Sequence, residues 1–470
     1  MFHFLQFAKN TAIITDSGEQ FSFAQLHNEV ELFELHVPRR GLMLCLCKNE
    51  IGALVGYVSC ICKGIPIVLL DGKRDSDYID SYIAKYLPEY IWTPSYRNSE
   101  FTGSIIYECY GYSLVKMNNM SNSSNIHLFD KLALCLTTSG STGSPKLVRL
   151  TKDNLESNAK SIATYLNITE NERPITTLPM YYSFGLSVIN SHLIKGATII
   201  LTDHTLFSKS FWAVFERFSP TSIAGVPFTY EMLERMGFFE MNNSSLKTMI
   251  QAGGKLNADI VKQYVHFATE TNRSFIVMYG QTEASPRMSY LPFEYAGEKP
   301  SSIGIPIPGG DFLLLDVNGQ IIQDPNIEGE LVYKGANVCM GYAESREDLG
   351  KGDENKGILK TGDIAYKDAD GFYYITGRLK RFVKIWGNRY NLDAIEQLIK
   401  PITSDCACIG NDNIIHVIVE DYTFVEDIKI LMEKKLHLDK SCFTIKVMDL
   451  IPKTPSGKIQ YAELKKVLGI

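Results

Sequence analysis

Positive charge is scarce in this sequence: 47 Lys and Arg stand against 53 Asp and Glu, a formal charge of −6 at pH 7. No surplus of cations exists to neutralise a phosphate backbone or an anionic lipid surface, so nucleic acid and membrane partners lack electrostatic support and a small-molecule ligand is expected. Long hydrophobic runs are missing too. The longest, from about Gly52 to Leu70, is broken by Lys63, and the opening MFHFLQFAKN has no basic start ahead of an apolar core. Neither a membrane span nor a signal peptide is expected, and the expected location is the cytoplasm. Ten cysteines are present, but none are in CxxC spacing; six fall in CxC pairs, Cys45/Cys47, Cys60/Cys62 and Cys406/Cys408. Alternate residues share one face of a strand, so the first and third pairs read as small core hydrophobes, reduced and buried rather than zinc-bound.

What the chain does have is bulk for a core. With 470 residues, 45% of them hydrophobic and 21% charged, it is long enough for two or more packed domains and too apolar for disorder. Apolar runs at Gly41–Cys47, Gly64–Leu70, Gly196–Asp203 and Ser274–Gly280 alternate with amphipathic stretches at Ser76–Leu87, Ser208–Phe218 and Ala258–Glu270. Fully apolar strands separated by such helices predict parallel sheets covered on both faces, an α/β core. From about Ser302 the texture changes to strands punctuated by Asn318-Gly319 and Asp370-Gly371, which predicts a small antiparallel β unit. After Leu379 a mixed pattern resumes, with helices expected at Leu392–Leu398 and from Phe424 and strands expected near Ile414 and Phe443. The expected organisation is a large domain over residues 1–378 and a small α+β domain over 379–470.

One segment invites a chemical reading from its residues alone. LALCLTTSGSTGSPKLVRLT (Leu132–Thr151) is an apolar strand, a loop of Thr138, Ser139, Gly140, Ser141, Thr142 and Gly143, then Pro145-Lys146 and a second apolar run. Glycines let successive backbone N–H groups line an anion, hydroxyls add donors and Lys146 adds a mobile charge, so a phosphate loop is expected. It departs from the Walker pattern, since Pro145-Lys146-Leu147 stands where Gly-Lys-Ser/Thr would.

This segment resembles the phosphate-binding signature of the adenylate-forming superfamily of acyl-CoA synthetases, peptide-synthetase adenylation domains and beetle luciferases. Three more stretches match that family in order: YGQTEAS (Tyr279–Ser285), LKTGDIAYKDADGFYYITGRLKRFVKIWGNRYNLDAIE (Leu359–Glu396) and PKTPSGKIQ (Pro452–Gln460), with weaker matches at LPMYYSFGLS and AGVPFTYEML. The resemblance covers nearly the whole chain. It implies ATP and Mg²⁺ as cofactors, a large domain followed by a small mobile one, and activation of a carboxylic acid as an acyl-adenylate before transfer to the thiol of CoA or of a carrier protein in trans.

It also implies roles. Tyr279 would stack on adenine beside Gly280, Thr282 would bond a phosphate and Glu283 would hold Mg²⁺. Asp363 would accept both ribose hydroxyls from a loop after Gly362, with Arg378 a fixed cation nearby. Lys458, in the turn Pro455–Lys458, would bridge the attacking carboxylate and the α-phosphate. Gly253, Gly254 and Ala252 in QAGGKL, with Tyr182 and Ser183, would line the base of the adenine site and the acid pocket. Lys380 would be the hinge, and Lys384 to Gly387 would line a pantetheine tunnel.

The chain also departs from the family. Many acyl-CoA synthetases have His where Tyr182 stands, and amino-acid adenylation domains usually have Asp in place of Ser183; without that carboxylate a non-amino acid is the expected substrate. Only 55 residues separate Glu396 from Pro452, an abbreviated C-terminal domain that weakens the expectation of thiol transfer more than that of adenylation. A free-standing enzyme that loads a carrier protein is the alternative reading; a non-catalytic nucleotide or acyl-adenylate sensor is a third, which Glu283, Asp363 and Lys458 speak against.

Overall fold

A computed structural model of the chain describes residues 1–37, 39–118, 127–137, 146–241, 243–379, 381–385, 388–411, 413–436, 438–454 and 457–469. These fall into two compact units, the first comprising residues up to 137, 146–311 and 333–359, the second 312–332 and 360 onward.

The first unit is the predicted α/β core. Its largest sheet has eight strands in the order Gly341–Ala343, Leu147–Thr151, Leu132–Thr137, Ile67–Asp71, Met43–Cys47, Tyr90–Pro94, Tyr112–Met117 and Gly103–Cys109. The middle four run parallel. Met43–Cys47 is buried at all five positions because the sheet is covered on both faces, which explains an apolar run without alternation. One cover is the helix Ile51–Lys63, buried over ten of its residues and stopped by Gly64 in the left-handed conformation. A second sheet carries parallel strands Ser222–Gly225, Thr248–Gln251 and Ser274–Gly280, then antiparallel Arg287–Leu291 and Ile305–Pro306. The helix Ala258–Glu270 spans the residues its amphipathic pattern predicts, started by the Asn257 side chain accepting from the Asp259 N–H.

The second unit holds most of a four-stranded sheet, ordered Gly310–Leu315, Gly329–Gly335, Ile358–Lys367 and Tyr373–Arg378. Beyond it come the hairpin Phe382–Ile385/Asn388–Asn391, the helices Leu392–Ile399 and Val425–Lys434, and a sheet of Cys406–Gly410, Ile415–Val419 and Phe443–Val447. Cys406 and Cys408 are buried in that last core, as Cys45 and Cys47 are in the first. The division expected after residue 378 falls inside this unit. Among the described residues, no helix is long and apolar enough to cross a membrane.

Candidate active site

The strand Ser274–Gly280 ends at Tyr279-Gly280 and hands the chain to a short 3-10 turn, Thr282–Ala284. Gly280 is required by close approach: a Cβ there would sit 2.0 Å from the Pro286 carbonyl oxygen, which accepts from the Gln281 N–H at 2.9 Å. The turn is thereby folded tightly back, with Thr282 and Glu283 half-buried in it. Thr282 Oγ1 shares a 3.0 Å hydrogen bond with Ser183 Oγ, the first residue of the helix Ser183–Leu193. Two of the residues singled out from sequence, 99 positions apart, thus meet.

Tyr182 precedes that helix and stands over Gly253, whose φ is +88° and whose Cβ would lie 2.9 Å from the Tyr182 hydroxyl. A residue other than glycine would be strained there and would push the ring away. Burial raises the Tyr182 hydroxyl to about 12, an effect the nearby Arg287 guanidinium opposes. Tyr182 and Ala252 belong to one apolar cluster with Leu178, Phe184, Val226 and Met278. Gly254 accepts from Gln251 Nε2 at 2.9 Å, closing the glycine turn after the strand Thr248–Gln251.

A residue that the sequence reading missed connects two that it named. The Tyr342 hydroxyl donates to Glu283 Oε1 at 2.6 Å, while Lys146 Nζ lies 3.6 Å from the centroid of the Tyr342 ring and 3.4 Å from Glu344 Oε1. The strand Gly341–Ala343 pairs antiparallel with Leu147–Thr151, directly after Lys146, and so brings Tyr342 there. The Tyr342 carbonyl also accepts from Arg149 Nε, 193 residues away in sequence, and so distant a pairing leaves no local trace, which is why Tyr342 escaped notice. The ring faces a cation and its hydroxyl faces a carboxylate, an arrangement that holds opposite charges apart by one aromatic width.

In the second unit, Asp363 does not lie in a loop as expected. It belongs to the strand Ile358–Lys367, opposite Arg378, because Gly362 takes a φ of +71° and the ladder absorbs an irregularity between Ile364 and Ala365 without breaking. Asp363 is 2% exposed, and Oδ1 accepts from Arg378 Nε at 3.0 Å; the Arg378 side chain is 62% exposed. Lys458 occupies a turn closed by the Thr454 N–H donating to its carbonyl at 2.8 Å and by its own N–H donating to Thr454 Oγ1 at 3.1 Å. Thr138 to Gly143, Lys380, Gly387 and the side chain of Lys384 lie outside the described residues.

The profile of the AMP-binding enzyme family matches residues 99–343, more than half of the chain. The chain belongs to the AMP-binding enzymes. Among relatives of this family, oxalate–CoA ligase of Arabidopsis thaliana is 32% identical over 347 residues, 70% of this chain and 66% of the relative, just under two thirds of its length. A 2-succinylbenzoate–CoA ligase of Bacillus pumilus is 27% identical over 463 residues, 95% of this chain and 93% of the relative. Among solved structures, o-succinylbenzoate CoA synthetase of Bacillus subtilis, in complex with its acyl-adenylate intermediate, superposes with a TM-score of 0.78 at 22% identity, over 98% of this chain and 97% of that one. This AMP-binding enzyme therefore shares the fold of that synthetase, a large α/β body followed by a smaller α+β one.

Proposed function

We propose that this chain activates a carboxylic acid with ATP, releasing pyrophosphate and forming an acyl-adenylate, and then passes the acyl group to the thiol of CoA. The observation that carries this reading is the Thr282–Glu283 turn, where a hydroxyl and a hard carboxylate oxygen are set, through the Thr282–Ser183 hydrogen bond, next to the apolar cluster that holds Tyr182 and Ala252. The residues present fit the ligands. Glu283, half-buried at the turn, offers the hard oxygen donor that Mg²⁺ takes. Bound there, the ion supplies charge neutralisation on the polyphosphate.

The difficulty of the reaction is electrostatic, since a carboxylate must approach an anionic phosphorus, so positioning and charge neutralisation carry most of the catalysis. Lys146 and the Thr138–Gly143 loop hold the departing pyrophosphate, Tyr279 stacks on adenine, Asp363 and Arg378 hold the ribose, and Lys458 brings a cation to the acyl oxygen. Ser183 Oγ is engaged with Thr282, and Ser183 is buried without a charge to offer an ammonium group, which favours an acid lacking an α-amine. For the second half, the residues that the family resemblance assigns to thiol transfer are Lys380 as hinge and Lys384 to Gly387 as the path for the pantetheine arm. A carrier protein in trans would present the same arm, so the test uses both acceptors: thioester formed from ATP and an acid panel, with CoA or a phosphopantetheinylated carrier. CoA thioester is the expected product. Thioester on the carrier alone would reassign the acceptor, and ATP consumption without any thioester would limit the enzyme to adenylation.

A further inference from the structure

One buried cation in the first unit has no acid beside it among the described residues. Arg287 opens the strand that follows the Thr282–Glu283 turn and is 2% exposed. Its position is fixed from the main chain, where the carbonyl accepts from Asn158 Nδ2 at 2.8 Å and from Asn337 Nδ2 at 3.0 Å. Among the described residues its guanidinium meets only neutral groups. Nε donates to Ser187 Oγ at 3.1 Å, Nη1 donates to the Tyr165 hydroxyl at 3.3 Å and to Met278 Sδ at 2.7 Å, and the plane lies 4.7 Å from the Phe184 ring centroid. Nη2 is buried and has no hydrogen-bond partner among the described residues.

The neighbouring elements explain why no carboxylate answers it. The helix Ser183–Leu193 and the strand Ser274–Gly280 contain no acidic residue. The helix Lys152–Tyr165 has two, but Asp153 is exposed to solvent and Glu156 is bound to the N-terminal amine at 3.1 Å and to Lys160 at 2.7 Å. A guanidinium removed from water without a counter-ion costs several kcal/mol, which neutral hydrogen bonds and one aromatic face offset only in part. The charge is therefore held in readiness for an anion. Its surroundings indicate which one: Phe184 and Met278 belong to the same apolar cluster as Tyr182 and Ala252, a wall suited to the body of a small acid rather than to a polyphosphate.

We infer that Arg287 is a specificity determinant that pairs with a second carboxylate on the acid, so that the preferred substrate is a dicarboxylate activated at its other end. The two N–H bonds of Nη2 suit a charge-assisted contact to that carboxylate, which would supply the missing counter-ion. A monoacid of the same length would leave the guanidinium buried and unpaired. The inference rests on the acid-activating reading above, and the test separates the two.

The measurement is kcat/KM for pyrophosphate release with ATP and Mg²⁺ on acids matched in length, butanoate against succinate and hexanoate against adipate, for the full chain and for Arg287→Met. The diacid of at least one pair is expected to be favoured by ~30-fold or more in the unmodified enzyme, as for a buried charge left without its partner. In Arg287→Met that ratio is expected to fall toward one, with ATP binding by calorimetry showing that the variant is folded. The ranking in the unmodified enzyme decides the matter even if the variant does not fold: monoacids used as well as or better than their diacids would overturn the inference and leave acid activation standing. An equal loss on both acids in a folded Arg287→Met would overturn it too, reducing Arg287 to a packing role. Pyrophosphate release with no acid of either series, in an enzyme that binds ATP, would count against acid activation and against the inference with it.

Discussion

Under the proposed function, Lys458 and Asp363 would separate binding from chemistry, because they would meet the nucleotide at different moments. Asp363 is nearly fully buried and bound to Arg378, and the ribose contacts assigned to it exist before any bond changes. Asp363→Ala is expected to weaken ATP affinity in calorimetry by ~10- to 100-fold, the worth of hydrogen bonds to a charged group. Arg378 is mostly exposed, so the variant leaves no buried charge and should stay folded. In the proposed reaction, Lys458 would face charge that develops only as the carboxylate attacks. Lys458→Ala is expected to lower acid-dependent pyrophosphate release by ~100-fold or more while ATP affinity changes little, since a group aimed at the transition state acts on rate. Retention of most of that activity would remove Lys458 from the chemistry, and an unchanged affinity would remove Asp363 from the nucleotide site. At this scale the sequence spoke through motifs. It could not reveal Tyr342 or Arg287, whose importance arises from what distant strands set beside them, nor that Gly362 would keep Asp363 within a strand.

Among elements, the helix Leu392–Ile399 is tied to the segment after the proposed hinge by buried charge. Arg381 donates to Glu396 at 2.8 Å and pairs with Asp393 at 2.9 Å, and its guanidinium lies 3.6 Å from the Tyr461 ring centroid. The Tyr461 hydroxyl donates to Glu396 Oε2 at 2.9 Å, and Tyr461 opens the last helix three residues after Lys458. Arg381 thus links the chain after the hinge to the chain after the lysine turn within one unit. Burial raises the Glu396 carboxyl above its ordinary range, against the pull of Arg381. Arg381→Met removes that pull and leaves a buried carboxylate, so it is expected to destabilise the second unit by about 3–5 kcal/mol at pH 7. A carboxyl whose folded-state pKa is raised stabilises the fold below its unfolded pKa and loses that contribution as pH rises through the folded value. The variant's deficit should therefore shrink on going from pH 7 toward pH 5. Chemical denaturation at the two pH values, monitored through this unit, checks this; an equal deficit at both would show that Glu396 does not hold the unpaired charge. Where period and apolar content are strong, helix and strand existence was legible, as Ala258–Glu270 and Met43–Cys47 show, because both are local properties; the helices Ile51–Lys63, Lys152–Tyr165 and Ser183–Leu193 were not read from sequence. Which strands pair was not, and the sheet order had to come from the folded chain.

For the whole molecule, the fold and the family are secured by different findings. The α/β body and its α+β companion are seen directly, while membership among the AMP-binding enzymes comes from a match over residues 99–343. The short C-terminal stretch between Glu396 and Pro452, noticeable from sequence, still folds around a core that includes Ile399, Cys408, Val417 and Ile428. Adenylation and thiol transfer are thus proposed for a chain that has both bodies. The most direct test of the central claim follows the first half-reaction alone: ATP, Mg²⁺ and a dicarboxylic and monocarboxylic acid panel are incubated without any thiol, and pyrophosphate and enzyme-bound acyl-adenylate are measured together by mass spectrometry. Equal amounts of pyrophosphate and acyl-adenylate, appearing only when an acid is supplied, are expected. Pyrophosphate release that ignores the acid, or ATP bound and returned intact with every acid, would contradict it.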